Sequence, residues 1–504
     1  MSEHRENQDF YSVIRKSSFY LLVLRSITPL VSFFITIYII RKLSVDAYGV
    51  YNILIAIMGY IGLLSSLGLP HIFQRYIPEF YQKKQLAKLK RLVDRGLFWR
   101  FVLICGFIVV LIIFAHPIER LFQFSEAIRY FAFFSVAIIF FLETRLLSLT
   151  FTSTFQHKYY VIIQISYVLF RAGLIYCLLF IGKELVGLLM AESAAYLFLF
   201  ILQFYYFRKS FPVSRKKEEA DLPIQRLIRF GGFSYLYEAG SEILAVSTDY
   251  FIISAFLGPA SVAIYAFANR IMKLITRILP YSVLANIIRP VFFTKYSQND
   301  DPENLNKMFN FLIKIMAFFS FPIVFAMFVL GDKIIIYIFD PRYINSLEVL
   351  WIVAIFYALN FLMNPVGLVL QSIEKVQILF YSKIFAIYNI IGDLLVVNKY
   401  GIIGIALVTG SAVLFQNIFS FVCARKYTRL ILETKGLFKI ILNSAVMAVM
   451  IFPFRNMVDS MWILIFFAIM GGCAYFVMSF FNKVFSVEER NIVNKILPKP
   501  LFVF

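Results

Sequence analysis

The sequence predicts an all-α, polytopic membrane protein with about fourteen transmembrane helices, since one span takes roughly 20 mostly apolar residues. The chain is 61% hydrophobic and 18% aromatic, and its mean hydropathy is +0.79. Apolar runs of sufficient length recur along the whole sequence and are separated by short gaps. Runs such as Phe101–Ala115 do not alternate between apolar and polar residues, so the strands of a membrane barrel are excluded.

The predicted spans are apolar runs bounded by charged residues, Pro or Gly. They cover 17–40, 49–69, 97–115, 128–150, 157–181, 184–207, 229–257, 261–290, 306–330, 345–370, 376–397, 401–424, 436–454 and 461–482. The last pair carries the weaker signal, which leaves about twelve or thirteen spans as an alternative count.

Lys and Arg residues are concentrated in alternate loops. The gaps between spans 2 and 3, 6 and 7, and 12 and 13 are rich in them, whereas the loops on the other side hold one or two each. By the positive-inside rule, both termini are predicted to be cytoplasmic. The net charge of +20 is then a consequence of topology, and no recognition motif for nucleic acid accompanies it.

A polar stretch around Ser210–Arg226 divides the chain. We predict an N-lobe over 1–210 with spans 1–6, a cytoplasmic linker over 211–228, a C-lobe over 229–428 with spans 7–12, and a C-terminal region over 429–504 with spans 13 and 14 and a cytoplasmic tail. The turns Leu43–Tyr51 and Leu257–Tyr265 resemble each other, although chance similarity is an alternative. An even number of spans per lobe predicts a pseudo-twofold axis along the membrane normal, as in many transporters.

Three segments carry a family resemblance. They are Leu43-x(4)-Tyr-Gly-x-Tyr51, Asp249-Tyr-Phe-Ile-Ile-x(3)-Leu-Gly258, and Asn389-x(3)-Asp393 followed by Tyr400-Gly-Ile-Ile-Gly-Ile-Ala406. This pattern resembles the Wzx-type polysaccharide and O-antigen flippases of the multidrug/oligosaccharidyl-lipid/polysaccharide (MOP) exporter superfamily. The resemblance implies a bacterial inner-membrane transporter with a central cavity lined by spans 1, 2, 7 and 8. Its implied substrate is an undecaprenyl-diphosphate-linked oligosaccharide, which it moves by alternating access.

Charged residues inside predicted spans are the candidate site residues, since each costs roughly 2.5–3.5 kcal/mol to insert. Arg270, Lys273 and Arg277 share one face of span 8, and Arg25 lies in span 1. We predict that these four bind the substrate diphosphate, because Arg offers a bidentate fork and Lys a point charge. The alternative is that they pair with the acidic face of span 7, formed by Glu238, Glu242 and Asp249.

Glu238 and Glu242 are predicted counter-ions or coupling groups. A separate candidate cation site consists of Asp249, Asn389, Asp393 and Thr409. Carboxylate, amide and hydroxyl oxygens suit a small hard cation, and the resemblance to the lipid II flippase branch implies Na⁺ or H⁺ coupling. The alternative is that Asn389 and Asp393 are helix-end residues solvated by water.

Further charges inside the spans are predicted to be structural. Arg171 and Glu192 match in depth and are expected to form a buried pair, and Glu143 and Arg145 are interpreted in the same way. Lys314 is expected to extend its amine to the cytoplasmic surface.

The sequence argues against an enzyme. No Walker motif is present, and His4, His71, His116 and His157 have no metal-ligand spacing. Short outer loops leave little room for a membrane glycosyltransferase or polymerase, which stays the enzymatic alternative. The pattern is also compatible with a lipid II flippase, with a multidrug exporter of the same superfamily and with a non-transporting assembly scaffold. No cofactor is expected beyond a coupling ion; membrane lipids and other polysaccharide-assembly proteins are the expected partners, with a monomer as the default.

Overall fold

The computed structural model describes Tyr20, residues 23–24, 26–211, 222–278, 302–375, 377–428 and 430–496, and Phe504. These residues form helices and connecting turns, without a strand in the described ranges. Eleven helical segments among them are long and apolar enough to cross a membrane. The predicted all-α polytopic fold is therefore confirmed.

The chain forms two compact units, Met1–Ala263 and Ile264–Phe504. The predicted lobe boundaries remain predictions, and residues 212–221 of the predicted linker lie outside the described residues. Helix α1 covers 26–42. The further helices that begin in unit 1 are α2 Val45–Leu64, α3 Leu69–Gln82, α4 Leu86–Ile113, α5 Ala115–Phe122, α6 Ala127–Ser153, α7 His157–Phe180, α8 Glu184–Ser210, α9 Ile224–Ile243 and α10 Val246–Ile278.

Unit 2 contains the end of α10 and eight further α-helices among the described residues. These are α11 Pro302–Lys333, α12 Leu347–Leu362, α13 Asn364–Ser372, α14 Gln377–Tyr381, α15 Phe385–Thr428, α16 Thr434–Ile451, α17 Met461–Asn482 and α18 Val487–Ile496. A π-helical segment, Ile334–Phe339, and a 3₁₀ segment, Pro341–Ser346, connect α11 to α12.

Two of the long helices are kinked at glycines. Gly258 in α10 has φ 78° and ψ 173°, and Gly401 in α15 has φ 55° and ψ −143°. Residues with a β-carbon rarely adopt these conformations, so glycine allows the chain to reverse there. In α15 the two halves pack against each other: Gly392 lies against Val408, and the hydroxyls of Tyr388 and Ser411 are 3.1 Å apart.

Some helices extend beyond the predicted spans. Helix α4 begins at Leu86, whereas the apolar run predicted a start at 97. Leu89 and Val93 on this extension are buried, so an amphipathic first part continues the membrane helix. Helix α3, which the hydropathy pattern left inside a loop, is amphipathic as well and buries Phe73 and Ile77.

Each unit has its own apolar core. In unit 1, Phe73, Val93, Leu146 and Phe207 are fully buried in one cluster. In unit 2 the core is centred on α11, where the Tyr475 hydroxyl donates a buried hydrogen bond of 2.9 Å to the Phe318 carbonyl.

The outward surface is apolar too. Residues such as Leu395, Val449, Trp462 and Phe481 are more than 70% exposed. Apolar area of this extent suits hydrocarbon rather than water, and it identifies a multi-pass membrane protein.

Candidate functional site

Two broken helices meet within unit 1. Residues 65–68 separate α2 from α3, and Leu244 and Ala245 separate α9 from α10. Gly68 (φ 73°) lies against Gly231 of α9, and a β-carbon at position 68 would overlap the Gly231 carbonyl oxygen. Helix breaks at membrane depth are tolerated where protein or a cavity satisfies the backbone, and transporters commonly bind ligands there.

Glu238 lies beside the break between α2 and α3. The Ser66 hydroxyl donates a hydrogen bond of 3.3 Å to Glu238 Oε2, and His71 Nε2 is 4.0 Å from the same oxygen. The Glu238 side chain is 28% exposed. This carboxylate is therefore accessible and has both a hydroxyl and an imidazole within reach.

Glu242 lies at the break between α9 and α10. The Ser247 hydroxyl donates a hydrogen bond of 3.0 Å to Glu242 Oε1. The Tyr60 hydroxyl is 2.5 Å from Thr248 Oγ1, so α2 is joined to the start of α10. A β-carbon added at Gly59 would lie 3.3 Å from Glu242 Oε1, which places the carboxylate against α2.

We name this set of side chains the break cluster. It consists of Tyr60, Ser66, His71, Glu238, Glu242, Ser247 and Thr248. Sequence reasoning found the two glutamates and missed their partners. The available signal was the pair of polar dipeptides, Ser65-Ser66 and Ser247-Thr248, each inside an apolar run.

The break cluster brings together two carboxylates, one imidazole and several hydroxyls. Serine hydroxyls donate to both carboxylates, and the His71 imidazole lies beside Glu238. Carboxyl and imidazole groups are the side-chain types that commonly exchange protons. Among the described residues, no group of three or more His, Cys, Asp or Glu side chains has an arrangement that could hold a metal ion.

The predicted cationic stripe lies on the part of α10 that belongs to unit 2. Lys273 and Arg277 are exposed and Arg270 is partly exposed, while Ile271 and Leu274 between them are buried. The three cationic residues thus share the accessible side of the helix. Arg25, the fourth predicted diphosphate ligand, lies outside the described residues.

Tyr357 of α12 supports the end of this stripe. Its hydroxyl is 3.3 Å from Thr276 Oγ1, next to Arg277 in the chain. Arg277 lies within electrostatic range of both Arg270 and Tyr357. Guanidinium groups held close together on an accessible face create a positive potential that an anion relieves.

The residues predicted to bind a cation are all buried. Asp249 lies in unit 1, whereas Asn389, Asp393 and Thr409 lie in unit 2. Asn389 Nδ2 donates a hydrogen bond of 3.3 Å to Asp393 Oδ2 within α15. Full burial of Asn389 and Asp393 disagrees with the alternative in which water solvates them. The four-residue cation site stays a prediction.

The predicted buried pair of Arg171 and Glu192 is confirmed. Arg171 Nε donates a hydrogen bond of 2.8 Å to Glu192 Oε2, and Arg171 Nη2 contacts the other carboxylate oxygen. The Tyr51 hydroxyl also donates to Glu192 Oε1 at 2.8 Å. The pair and the tyrosine connect α2, α7 and α8, which is a structural role.

The interpretation of Glu143 and Arg145 as a similar pair is wrong. Glu143 is 2% exposed and lies near Arg100 of α4, whose guanidinium donates to the Leu142 carbonyl at 2.9 Å. Arg145 is exposed and lines a pocket. A spacing of two residues places the two side chains on different sides of α6.

Comparison with known sequences gives one family and one relative. The model of a family described as polysaccharide biosynthesis proteins matches residues 39–348. The teichuronic acid biosynthesis protein TuaB of Bacillus subtilis (strain 168) is 26% identical over 150 residues, which are 29% of this chain and 30% of TuaB. The match thus covers less than a third of that relative's length.

Comparison with solved structures gives membrane transporters. The lipid II flippase MurJ in an inward closed conformation has a TM-score of 0.64 and 16% identity, with 92% of this chain and 99% of that chain covered. An inward-facing multidrug resistance MATE family transporter of the MOP superfamily has a TM-score of 0.64 and 14% identity, with 81% and 98% covered. The eukaryotic MATE transporter AtDTX14 has a TM-score of 0.55. At these identities the similarity concerns the fold.

Proposed function

The chain belongs to the family of polysaccharide biosynthesis proteins, and from this premise we propose that it is a flippase for lipid-linked oligosaccharide. It moves an undecaprenyl-diphosphate-linked oligosaccharide from the cytoplasmic to the outer leaflet of a bacterial inner membrane, and it is not an enzyme. Both termini face the cytoplasm. The family match bears out the resemblance drawn from the three sequence motifs.

The observation that carries the proposal is the accessible cationic stripe. Arg270, Lys273 and Arg277 lie on the accessible side of α10, and Ile271, Met272 and Leu274 between them are buried. A diphosphate needs several charge-assisted hydrogen bonds, and this stripe offers two guanidinium groups and one amine. The sugar and the diphosphate travel in a polar environment while the lipid tail stays in the bilayer.

Coupling belongs to the break cluster in this proposal. Glu238 and Glu242 lie where two broken helices meet. A change in their protonation therefore alters the hydrogen bonds that connect α9 to the break between α2 and α3 and to the start of α10. An H⁺ gradient or the membrane potential thereby biases the helices between two arrangements. The predicted site of Asp249, Asn389, Asp393 and Thr409 offers Na⁺ coupling as the second route.

Lipid II transport is the second candidate function. The MurJ structure covers nearly all of both chains, which favours this candidate through fold. TuaB, in contrast, is named for the biosynthesis of teichuronic acid, which favours a polysaccharide precursor other than lipid II. A multidrug exporter is disfavoured because cationic drugs would be repelled by the cationic stripe.

The test is a genetic one in the organism that carries the chain. Cells lacking the protein are complemented with wild type, with Arg270→Gln/Lys273→Gln/Arg277→Gln, or with Lys84→Gln/Lys88→Gln/Lys90→Gln. This last protein, the loop variant, loses three positive charges from the turn before α4 and from the start of α4, which the sequence predicts to be cytoplasmic. Lipid-linked oligosaccharide exposed on the outer leaflet is then measured. Wild type and the loop variant restore exposure, and the stripe variant does not. Normal exposure without the protein would refute the proposal.

A further inference from the structure

A pocket of about 410 Å³ with both apolar and polar lining residues lies within unit 1, among α3, α6, α7 and α8. This volume falls in the roughly 300–1,000 Å³ range of small-molecule sites. Its lining residues are distinct from the break cluster and from the cationic stripe on α10. The pocket is therefore a separate candidate binding site.

Aromatic rings form much of the wall. Tyr167 of α7 and Tyr196 of α8 stack with ring centroids 5.5 Å apart, and Phe141 of α6 meets Tyr196 edge to face at 5.0 Å. Tyr160, at the start of α7, lines the same space. Rings fixed by such contacts present flat apolar faces, and the C–H faces of a pyranose ring pack on surfaces of this kind.

Hydrogen-bonding groups lie between the rings. The hydroxyl hydrogens of Thr144 and Thr152 are used within α6, in bonds of 2.8 Å to the Phe141 carbonyl and 3.0 Å to the Ser148 carbonyl. Their oxygens retain acceptor capacity towards the pocket. Gln74 and Gln164 add amides that both donate and accept. A polyhydroxylated ligand matches this mixture of donors and acceptors.

Arg145 gives the pocket a positive charge. It is exposed, its guanidinium lies 6.0 Å from the Phe141 ring centroid, and it forms no ion pair among the described residues. The lining contains no Asp or Glu among the residues that the structure describes. A guanidinium in such a place favours an anionic ligand, and the carboxylate of an acidic sugar can meet it with bidentate geometry.

Part of the pocket lining lies towards the predicted cytoplasmic side, where the proposed substrate is made. Pro70 and Gln74 belong to α3, and Thr152 and Tyr160 flank the turn between α6 and α7. The positive-inside rule places both elements towards the cytoplasm. The pocket would therefore bind its ligand before translocation rather than after it.

We propose that this pocket binds an acidic sugar unit of the transported glycan, with Arg145 pairing the carboxylate and the tyrosine rings holding the pyranose. The inference rests on the proposed flippase function and deepens it, because it names a hexuronic acid as the class of sugar. It also gives the N-terminal part of the chain a role in selecting the glycan, separate from the diphosphate contact on α10.

The test is saturation-transfer NMR on the purified full-length protein in nanodiscs, with glucuronate and glucose as probes. Wild type binds glucuronate more tightly than glucose. Arg145→Gln weakens glucuronate binding by about tenfold, the contribution of a charge-assisted hydrogen bond, and leaves glucose unchanged. Tyr160→Leu weakens both probes, and Gln164→Leu serves as a second wall variant if Tyr160→Leu does not fold.

Arg129→Gln is the matched control, since Arg129 lies on the same helix and pairs with Glu126 outside the pocket. It leaves both probes unchanged. Equal binding of the two probes by wild type, or glucuronate binding that Arg145→Gln does not alter, overturns the inference. This readout is independent of transport: a protein that restores outer-leaflet exposure yet binds no glucuronate refutes only the sugar site.

Discussion

Gly49 of α2 lies directly against the backbone carbonyl of Pro259 in α10, so closely that a β-carbon at position 49 would overlap the carbonyl oxygen. Gly49 belongs to the turn Leu43–Tyr51, and Pro259 belongs to the turn Leu257–Tyr265. These are the two turns whose sequences resemble each other. Nearby, the Ser254 hydroxyl donates to the Phe122 carbonyl at 2.7 Å, and Gln123 Nε2 donates to the Ala255 carbonyl at 2.7 Å. The backbone contact and these hydrogen bonds together connect α10 to α2 and to the end of α5.

Gly49→Ala is expected to lower the stability of the folded protein by about 1–3 kcal/mol, because the new methyl group meets a rigid backbone carbonyl. Gly106→Ala is the control: that glycine lies in α4 with nothing within 4 Å of an added β-carbon, so the change stays within about 1 kcal/mol. The midpoints of thermal unfolding of the purified variants in detergent provide the comparison. Equal midpoints for the two variants would mean that the close approach does not constrain α2.

Breaking the buried pair of Arg171 and Glu192 is expected to be costly. Arg171→Met leaves a buried carboxylate without its guanidinium and destabilises the protein by about 3–5 kcal/mol, whereas Arg171→Met/Glu192→Leu recovers part of the loss. Tyr51→Phe removes one hydrogen bond and costs about 1 kcal/mol. Thermal unfolding of wild type, Arg171→Met, Glu192→Leu and the double variant measures the coupling, and strictly additive effects of the two single changes would contradict it.

The sequence predicted this pair and not its third member, for a physical reason. Arg171 and Glu192 sit in consecutive helices at matching depth, so hydropathy alone aligns them. Tyr51 lies 141 residues from Glu192, and nothing local in an apolar helix marks the tyrosine as its partner. Hydrophobicity is enough to predict which segments form membrane helices. The contacts between helices that are distant in the sequence depend on how the helices pack.

The two helix breaks show the same limit. The first break contains Gly68 and is followed by Pro70, and both residue types are recognisable signals for the end of a helix. The second falls at Leu244 and Ala245, two good helix formers, so propensity gives no sign of it. The sequence therefore identifies Glu238 and Glu242 by their charge. It does not predict the helix break that places both residues next to α2.

Lys314 was expected to extend its amine to the cytoplasmic surface, and in the structure this amine reaches two carboxylates outside the predicted spans. Its amine is 3.0 Å from Glu489 Oε1 and 3.2 Å from Glu433 Oε2, and its side chain is 10% exposed. The partners lie outside the spans, in α18 and in the segment before α16. Hydropathy cannot assign a partner that comes from 175 residues away.

Glu489→Gln is expected to loosen α18, because it removes the charged acceptor of the Lys314 amine while a glutamine still bonds to the Ser486 backbone N–H. Glu488→Gln, at the exposed neighbouring position, is the control. Hydrogen exchange of the α18 amides is faster in Glu489→Gln and unchanged in Glu488→Gln. Equal exchange in both would show that the ion pair does not hold the helix.

Glu242→Gln is expected to separate transport from its driving force. The glutamine keeps a hydrogen-bond acceptor for Ser247 and cannot release a proton. In proteoliposomes, an imposed pH gradient accelerates flipping by wild type and by Glu79→Gln, a control carboxylate paired with Lys83. The same gradient has no effect on Glu242→Gln. Acceleration of Glu242→Gln by the gradient would remove the break cluster from coupling.

Flipping by the purified protein tests the diphosphate site and the proposed function together. Proteoliposomes containing undecaprenyl-diphosphate-linked oligosaccharide are prepared with wild type, with Arg270→Gln/Lys273→Gln/Arg277→Gln and with the charge-conserving Arg270→Lys/Lys273→Arg/Arg277→Lys, and outer-leaflet sugar is followed over time. We expect flipping by wild type, partial flipping by the charge-conserving variant and none by the glutamine variant. Wild-type rates in the glutamine variant would contradict the diphosphate site, and no flipping by folded wild type would contradict the proposed function itself.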